Sequence, residues 1–129
     1  MEDKLITKAI EMLERAYVPY SHFPVGAALE CADGSVFTGC NVENAAYPAG
    51  ICAERSAIFH AVSEGRTRFR RIVIAGKSSD FCVPCGMCRQ VMREFSTDLE
   101  IICLNNAGDE QTFTLDQLLP HGFGPEHLG

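Results

Sequence analysis

Val25-Gly26-Ala27-Ala28-Leu29-Glu30 and Val36-Phe37-Thr38-Gly39-Cys40, on either side of Cys31-Ala32-Asp33-Gly34-Ser35, decide the fold of this chain. Both runs are short and mostly apolar, and Asp33-Gly34 between them is a strong hairpin signal, so they read as an antiparallel pair. Upstream, Leu5, Ile6, Ala9, Ile10, Leu13, Ala16 and Tyr17 recur at helical spacing, with Glu2, Lys4, Lys8, Glu11 and Glu14 around the rest, until Pro19 ends the segment. Downstream, residues 52–64 have helical spacing through Ala53, Ala57, Ile58 and Ala61 and stop at Gly65. Residues 72–75 predict a short apolar strand, 85–95 a helix after the Pro84 breaker, and 101–104 a buried strand. A weaker strand over 111–113 and a short helix over 115–119 complete the order. A hairpin followed by alternating helices and strands predicts an α/β fold: three layers, α/β/α, with a mixed central sheet covered by helices on both faces.

At 129 residues the chain fits one domain, 1–129, and no repeat, linker or low-complexity tract divides it. Hydrophobic residues make up 47% and charged ones 22%, and no stretch is apolar for long enough to cross a bilayer, so a membrane partner is not expected. Met1-Glu2-Asp3-Lys4 has mixed charge and leads into the amphipathic pattern, unlike a secretion signal, so the expected location is the cytoplasm. Seven cysteines is an odd count, and in a reducing compartment they read as free thiols for metal or packing. A net charge of −6 argues against nucleic acid, which is bound largely by neutralising phosphates. Arg66, Arg68, Arg70 and Arg71 form a local basic patch that reads more simply as a solvated loop face. A small-molecule ligand is the expectation.

The chemistry concentrates in Cys52-Ala53-Glu54-Arg55 and Pro84-Cys85-Gly86-Met87-Cys88. Three thiols can hold one zinc and leave its fourth position to water, and a carboxylate beside them can move that water's proton. Both motifs start predicted helices, whose N-terminal partial charge favours thiolate. Arg55 is a further counter-charge, or else a solvated helix arginine. Spacing alone leaves the ligand set open, because Cys82, Cys85 and Cys88 also form C-x-x-C-x-x-C. A closed four-cysteine zinc would use Cys82 and leave Glu54 idle; an iron–sulfur run lacks its next member, since position 92 is Met92. Cys31, Cys40 and Cys103 sit in apolar strand contexts and read as packed thiols, and His60 as a surface or packing residue.

The combination of Cys52-Ala53-Glu54 with Pro84-Cys85-Gly86-Met87-Cys88 resembles the zinc nucleoside deaminase signature, with cysteine in place of the histidine of some members. Phe23-Pro24-Val25-Gly26-Ala27-Ala28, Gly39-Cys40-Asn41-Val42-Glu43-Asn44-Ala45 and the continuation Arg89-Gln90 extend the likeness. Over nearly the whole chain the sequence is similar to cytidine deaminases of the small, homotetrameric type.

That resemblance implies one zinc per chain on Cys52, Cys85 and Cys88, with Cys82 outside the shell and water or hydroxide as fourth ligand. It implies Glu54 as the proton shuttle in deamination of cytidine and deoxycytidine to uridine and deoxyuridine, in pyrimidine salvage. Asn41, Val42 and Glu43 then correspond to the ribose-reading segment, with Asn41 and Glu43 bonding the 3′-hydroxyl, although Asn and Glu after a strand are also common turn residues. Phe23 stacks on the base, and the Ala53 N–H and Val83 carbonyl hold its edge. Phe123 closes over the ligand from a neighbouring subunit, or is a packed ring. Arg55 bonds the thiolates. Two alternatives remain: a related small-molecule deaminase such as one for blasticidin S, which lacks a carboxylate like Glu43, and a noncatalytic zinc or nucleic-acid-binding module, against which Glu54 and the acidic charge count.

Overall fold

The computed structural model describes residues 3–128; Met1, Glu2 and Gly129, and with them the Glu2 charge of the helical pattern, lie outside that range. The first helix, α1 (Lys4–Glu11), is capped by Asp3, whose Oδ1 accepts from the Leu5 N–H at 3.0 Å. The expected helix runs to Tyr17, but α-helical geometry stops at Glu11 and a 3₁₀ turn, Met12–Arg15, follows. The tighter turn breaks the 3.6-residue stripe, so Leu5 and Ala9 are buried while Tyr17 is exposed.

Strands β1 (Val25–Cys31) and β2 (Val36–Cys40) form the expected hairpin, paired from Gly26 with Cys40 to Glu30 with Val36. The Cys31 N–H donates to the Ser35 carbonyl at 2.8 Å, and Gly34 turns the chain at φ +88°, a conformation that costs glycine little. Helix α2 (Ala53–Ser63), β3 (Phe69–Gly76), α3 (Gly86–Phe95), β4 (Glu100–Leu104), β5 (Glu110–Thr114) and α4 (Leu115–Leu118) follow. The sheet order is β2-β1-β3-β4-β5; only β3 and β4 are parallel, joined by a crossover through α3, so the sheet is mixed as expected.

Alternation along the strands divides the core between the two faces. Leu29, Ile72, Ile74, Ile101 and Cys103 pack with Ala57, Ile58 and Ala61 of α2 and Cys88 and Met92 of α3. On the other face Ala28, Val73, Ala75, Ile102 and Leu104 pack with Leu5 and Ala9 of α1. These are the three expected layers. Strand β3 begins three residues earlier than its apolar run, and its charged residues are paired: Arg71 reaches Asp3 at 2.9 Å and Glu30 at 3.2 Å, and Arg70 reaches Glu30 at 3.6 Å. With Arg66 on Asp33 at 3.3 Å, three of the four arginines in the basic patch face carboxylates.

One close approach sets the position of α2. A Cβ at Gly39 would lie 2.4 Å from the Ala57 nitrogen and 2.6 Å from the Ala53 oxygen, so β2 lies directly against the first turns of α2. Among the described residues, no helix is long and apolar enough to cross a membrane.

Candidate active site

Cys52 is the N-cap of α2 and Cys85 the N-cap of α3, so two helix starts converge on one place. Cys88 lies one turn into α3, three residues from Cys85 and therefore on the same side of the helix. The Cys52 and Cys85 sulfurs are 3.7 Å apart and those of Cys85 and Cys88 3.4 Å, and all three lie within 4.8 Å of one another. A tetrahedral ion with metal–sulfur bonds of about 2.3 Å separates its sulfurs by about 3.8 Å, so the Cys52–Cys85 and Cys85–Cys88 spacings fit zinc to within a few tenths of an ångström. Cys82 is not in this group.

The electrostatics set Cys52 apart from Cys82. A hydrogen bond from Cys88, with further help from Arg55 and Cys85, pulls the Cys52 thiol down to about 5 and pushes Cys88 up in return. The Arg55 Nη2 lies 3.4 Å from the Cys52 sulfur, while its buried Nε has no hydrogen-bond partner. Burial, with the Glu54 charge nearby, holds the Cys82 thiol near 11, and Cys103 is raised by burial to about 12. Cys31 is fully buried, Cys40 half-buried and His60 exposed against the Phe37 ring, as expected of packing residues.

Glu54 occupies the first turn of α2 and is the one charged residue in the buried core among those described, 4% exposed. Burial raises its carboxyl to about 7, and the Cys52 charge pushes in the same direction. A carboxyl that titrates near neutrality can take and return a proton at working pH.

Cys52, Cys85 and Glu54 open onto a cleft of about 610 Å³, which Phe23, Asn41, Val42, Glu43, Ala53, Arg55 and Cys82 also line, while Cys88 is buried behind it. Asn41 bridges to the adjoining loop, its Oδ1 accepting from the Val25 N–H and its Nδ2 donating to the Phe23 carbonyl, both at 2.9 Å. One amide hydrogen and one oxygen lone pair remain for a ligand. Glu43 accepts from the Tyr20 and Ser21 N–H groups at 3.1 Å each and from the Ser21 hydroxyl; that hydroxyl is the main reason its carboxyl is held below its ordinary range. Phe123 lies outside this chain's own cleft, its ring stacked 5.3 Å from His127. The cleft also includes Tyr20, Ser21, Tyr47 and Ile51, none of them singled out by the sequence. Residues 19–24 have no period to read, and the only local signal was a polar, aromatic segment between Pro19 and Pro24.

Residues 1–104 match the family profile described as the cytidine and deoxycytidylate deaminase zinc-binding region. The chain belongs to that family. Among curated members, the cytidine deaminase of Halalkalibacterium halodurans is 47% identical over 96% of this chain and 95% of its own length. That of Sporosarcina psychrophila is 44% identical over 98% and 93%. The crystal structure of cytidine deaminase from Burkholderia pseudomallei superposes with a TM-score of 0.91 at 44% identity, over 95% of this chain and 99% of that one. Membership in the deaminase family makes the chain a zinc-dependent hydrolase with an α/β fold.

Proposed function

We propose that this chain hydrolyses cytidine and deoxycytidine to uridine or deoxyuridine and ammonia, with residues 1–129 forming one catalytic domain. The observation that carries the reading is the placement of Glu54, buried and raised to about 7, in the same cleft as Glu43 and as Cys52 and Cys85 of the three-thiol group. Likeness to the cytidine deaminases supports it.

In this reading Cys52, Cys85 and Cys88 hold one zinc per chain. When bound, the metal supplies a Lewis acid that brings the pKa of water towards neutrality. Glu54 takes a proton of the attacking water and passes it to ring N3, then takes the remaining proton from the C4 hydroxyl and gives it to the amine as the C4–N bond breaks and the C4 carbonyl forms, acting as base and acid in turn. The Ala53 N–H and Val83 carbonyl hold the base edge, Phe23 stacks on the ring, and Val42 lines the sugar side of the cleft. Asn41 and Glu43 meet the 3′-hydroxyl. Arg55 offsets thiolate charge, which supports metal acidity under three anionic ligands.

Within a family that spans nucleosides and nucleotides, the charges of the cleft favour the nucleoside. Among the described residues Arg55 is the only arginine or lysine in its lining and already faces Cys52, while Glu43 and Glu54 contribute carboxylates. A 5′-phosphate would find no free cation there among the described residues. Glu43 likewise favours cytidine over blasticidin S.

The same reading includes a homotetramer with shared sites, in which Phe123 serves a neighbour's cleft. The exposure of Tyr17, Tyr47, Met87 and Phe123 supports this. Cytoplasmic pyrimidine salvage is the corresponding role. Zinc-loaded protein tested against cytidine, deoxycytidine, cytosine, deoxycytidylate and blasticidin S should remove the ultraviolet absorbance of the first two. Preference for either of the last two substrates would overturn the assignment.

A further inference from the structure

We infer that Ser21 is a positioning residue for sugar recognition, its hydroxyl fixing the Glu43 carboxylate so that one acceptor position faces the substrate. The inference rests on the proposed role of Glu43. An ionised carboxylate offers about four lone-pair sites. The backbone N–H groups of Tyr20 and Ser21 fill both sites of Glu43 Oε1, each at 3.1 Å. The Ser21 hydroxyl takes one site of Oε2, leaving a single open acceptor on a residue that lines the cleft.

The hydroxyl is itself oriented. Its oxygen accepts from the Phe23 N–H at 3.1 Å, which directs its one proton to Glu43. On the other side the Glu43 N–H donates to the Tyr17 carbonyl at 2.8 Å, so the carboxylate is held by its backbone and by both oxygens. Without the hydroxyl, Oε2 would have two open sites and no fixed direction. The same serine joins the segment bearing Glu43 to Phe23, so the sugar and base ends of the cleft share one hydrogen-bonded loop.

The test compares kcat and KM for cytidine and 3′-deoxycytidine in the wild type, Ser21→Ala, Ser21→Thr, Glu43→Ala and the Ser21→Ala/Glu43→Ala double variant. Zinc content and unfolding temperature are recorded for each. Ser21→Ala should raise KM for cytidine about tenfold, the range of a hydrogen bond to a charged group, with kcat nearly unchanged. KM for 3′-deoxycytidine should barely move, Ser21→Thr should restore most of the loss, and Ser21→Ala should add nothing to Glu43→Ala. An equal loss on both nucleosides, or full additivity in the double variant, would reduce Ser21 to a loop brace and overturn the inference. If wild type and Glu43→Ala treat the two nucleosides alike, the sugar-reading role of Glu43 itself fails, an outcome distinct from one in which Glu43 discriminates and Ser21 does not matter.

Discussion

Gly39→Ala should damage the metal site without touching it. The added Cβ would lie 2.4 Å from the Ala57 nitrogen, 2.6 Å from the Ala53 oxygen and 2.9 Å from the Ser56 Cβ, all on α2. Ordinary contact begins near 3.4 Å, so α2 must retreat by about 1 Å, and a close-packed interior has no void to absorb that. Overpacking of this kind costs about 1–3 kcal/mol, and two backbone contacts on a helix place this case near the upper end. Cys52 is the cap of the displaced helix, so a shift of about 1 Å there would disturb a sulfur spacing that now stands at 3.7 Å from Cys85, close to the tetrahedral spacing of about 3.8 Å. Zinc affinity should fall about 10–100-fold, as it does when groups that orient ligands are lost. Urea unfolding and competition with a chromophoric zinc chelator measure the two effects. Gly65→Ala is the comparator: nothing lies within 4 Å of its Cβ, and its φ of +86° costs about 1 kcal/mol at the far end of α2. Wild-type zinc affinity in Gly39→Ala, or an equal loss in Gly65→Ala, would refute the reasoning.

Two further outcomes concern the metal-free protein. Glu54 titrates near 7 in the fold and near 4.5 in the unfolded chain, so the fold holds the extra proton between these values and loses stability as pH rises through them; Glu54→Gln should remove that slope in urea midpoints taken from pH 4.5 to 7. With Cys52 near 5 and Cys82 near 11, brief iodoacetamide treatment at pH 7 should label Cys52 well ahead of Cys82, and zinc should protect Cys52; peptide mass spectrometry would expose the reverse order.

Local features were readable from the chain, whereas long-range ones were not. Asp33-Gly34 announced the hairpin, and Pro84 and Gly65 bounded helices whose starts fell on Cys85 and Cys52, because turn and cap chemistry acts within a few residues. The early start of β3 was hidden because Arg70 and Arg71 read as surface residues until folding brings in Asp3 and Glu30, 68 and 41 positions from Arg71. Apolar spacing that continues to Tyr17 hides the end of α1, where a 3₁₀ turn follows. Spacing leaves Cys82 open as a ligand; the sulfur positions are what separate it from the other three. Ser21 and Tyr20 act through a contact with Glu43, more than twenty residues away, that no periodicity reports.

The central claim is that Glu54 moves the proton at a metal site whose ligands are the three thiols. Ammonia release from cytidine by wild type and Glu54→Gln, both brought to the same measured zinc content, tests it most directly. The expected result is one zinc per chain in both proteins, steady turnover in the wild type, and a loss of at least about a hundredfold in kcat for Glu54→Gln. Equal turnover by the two zinc-matched proteins would contradict the account.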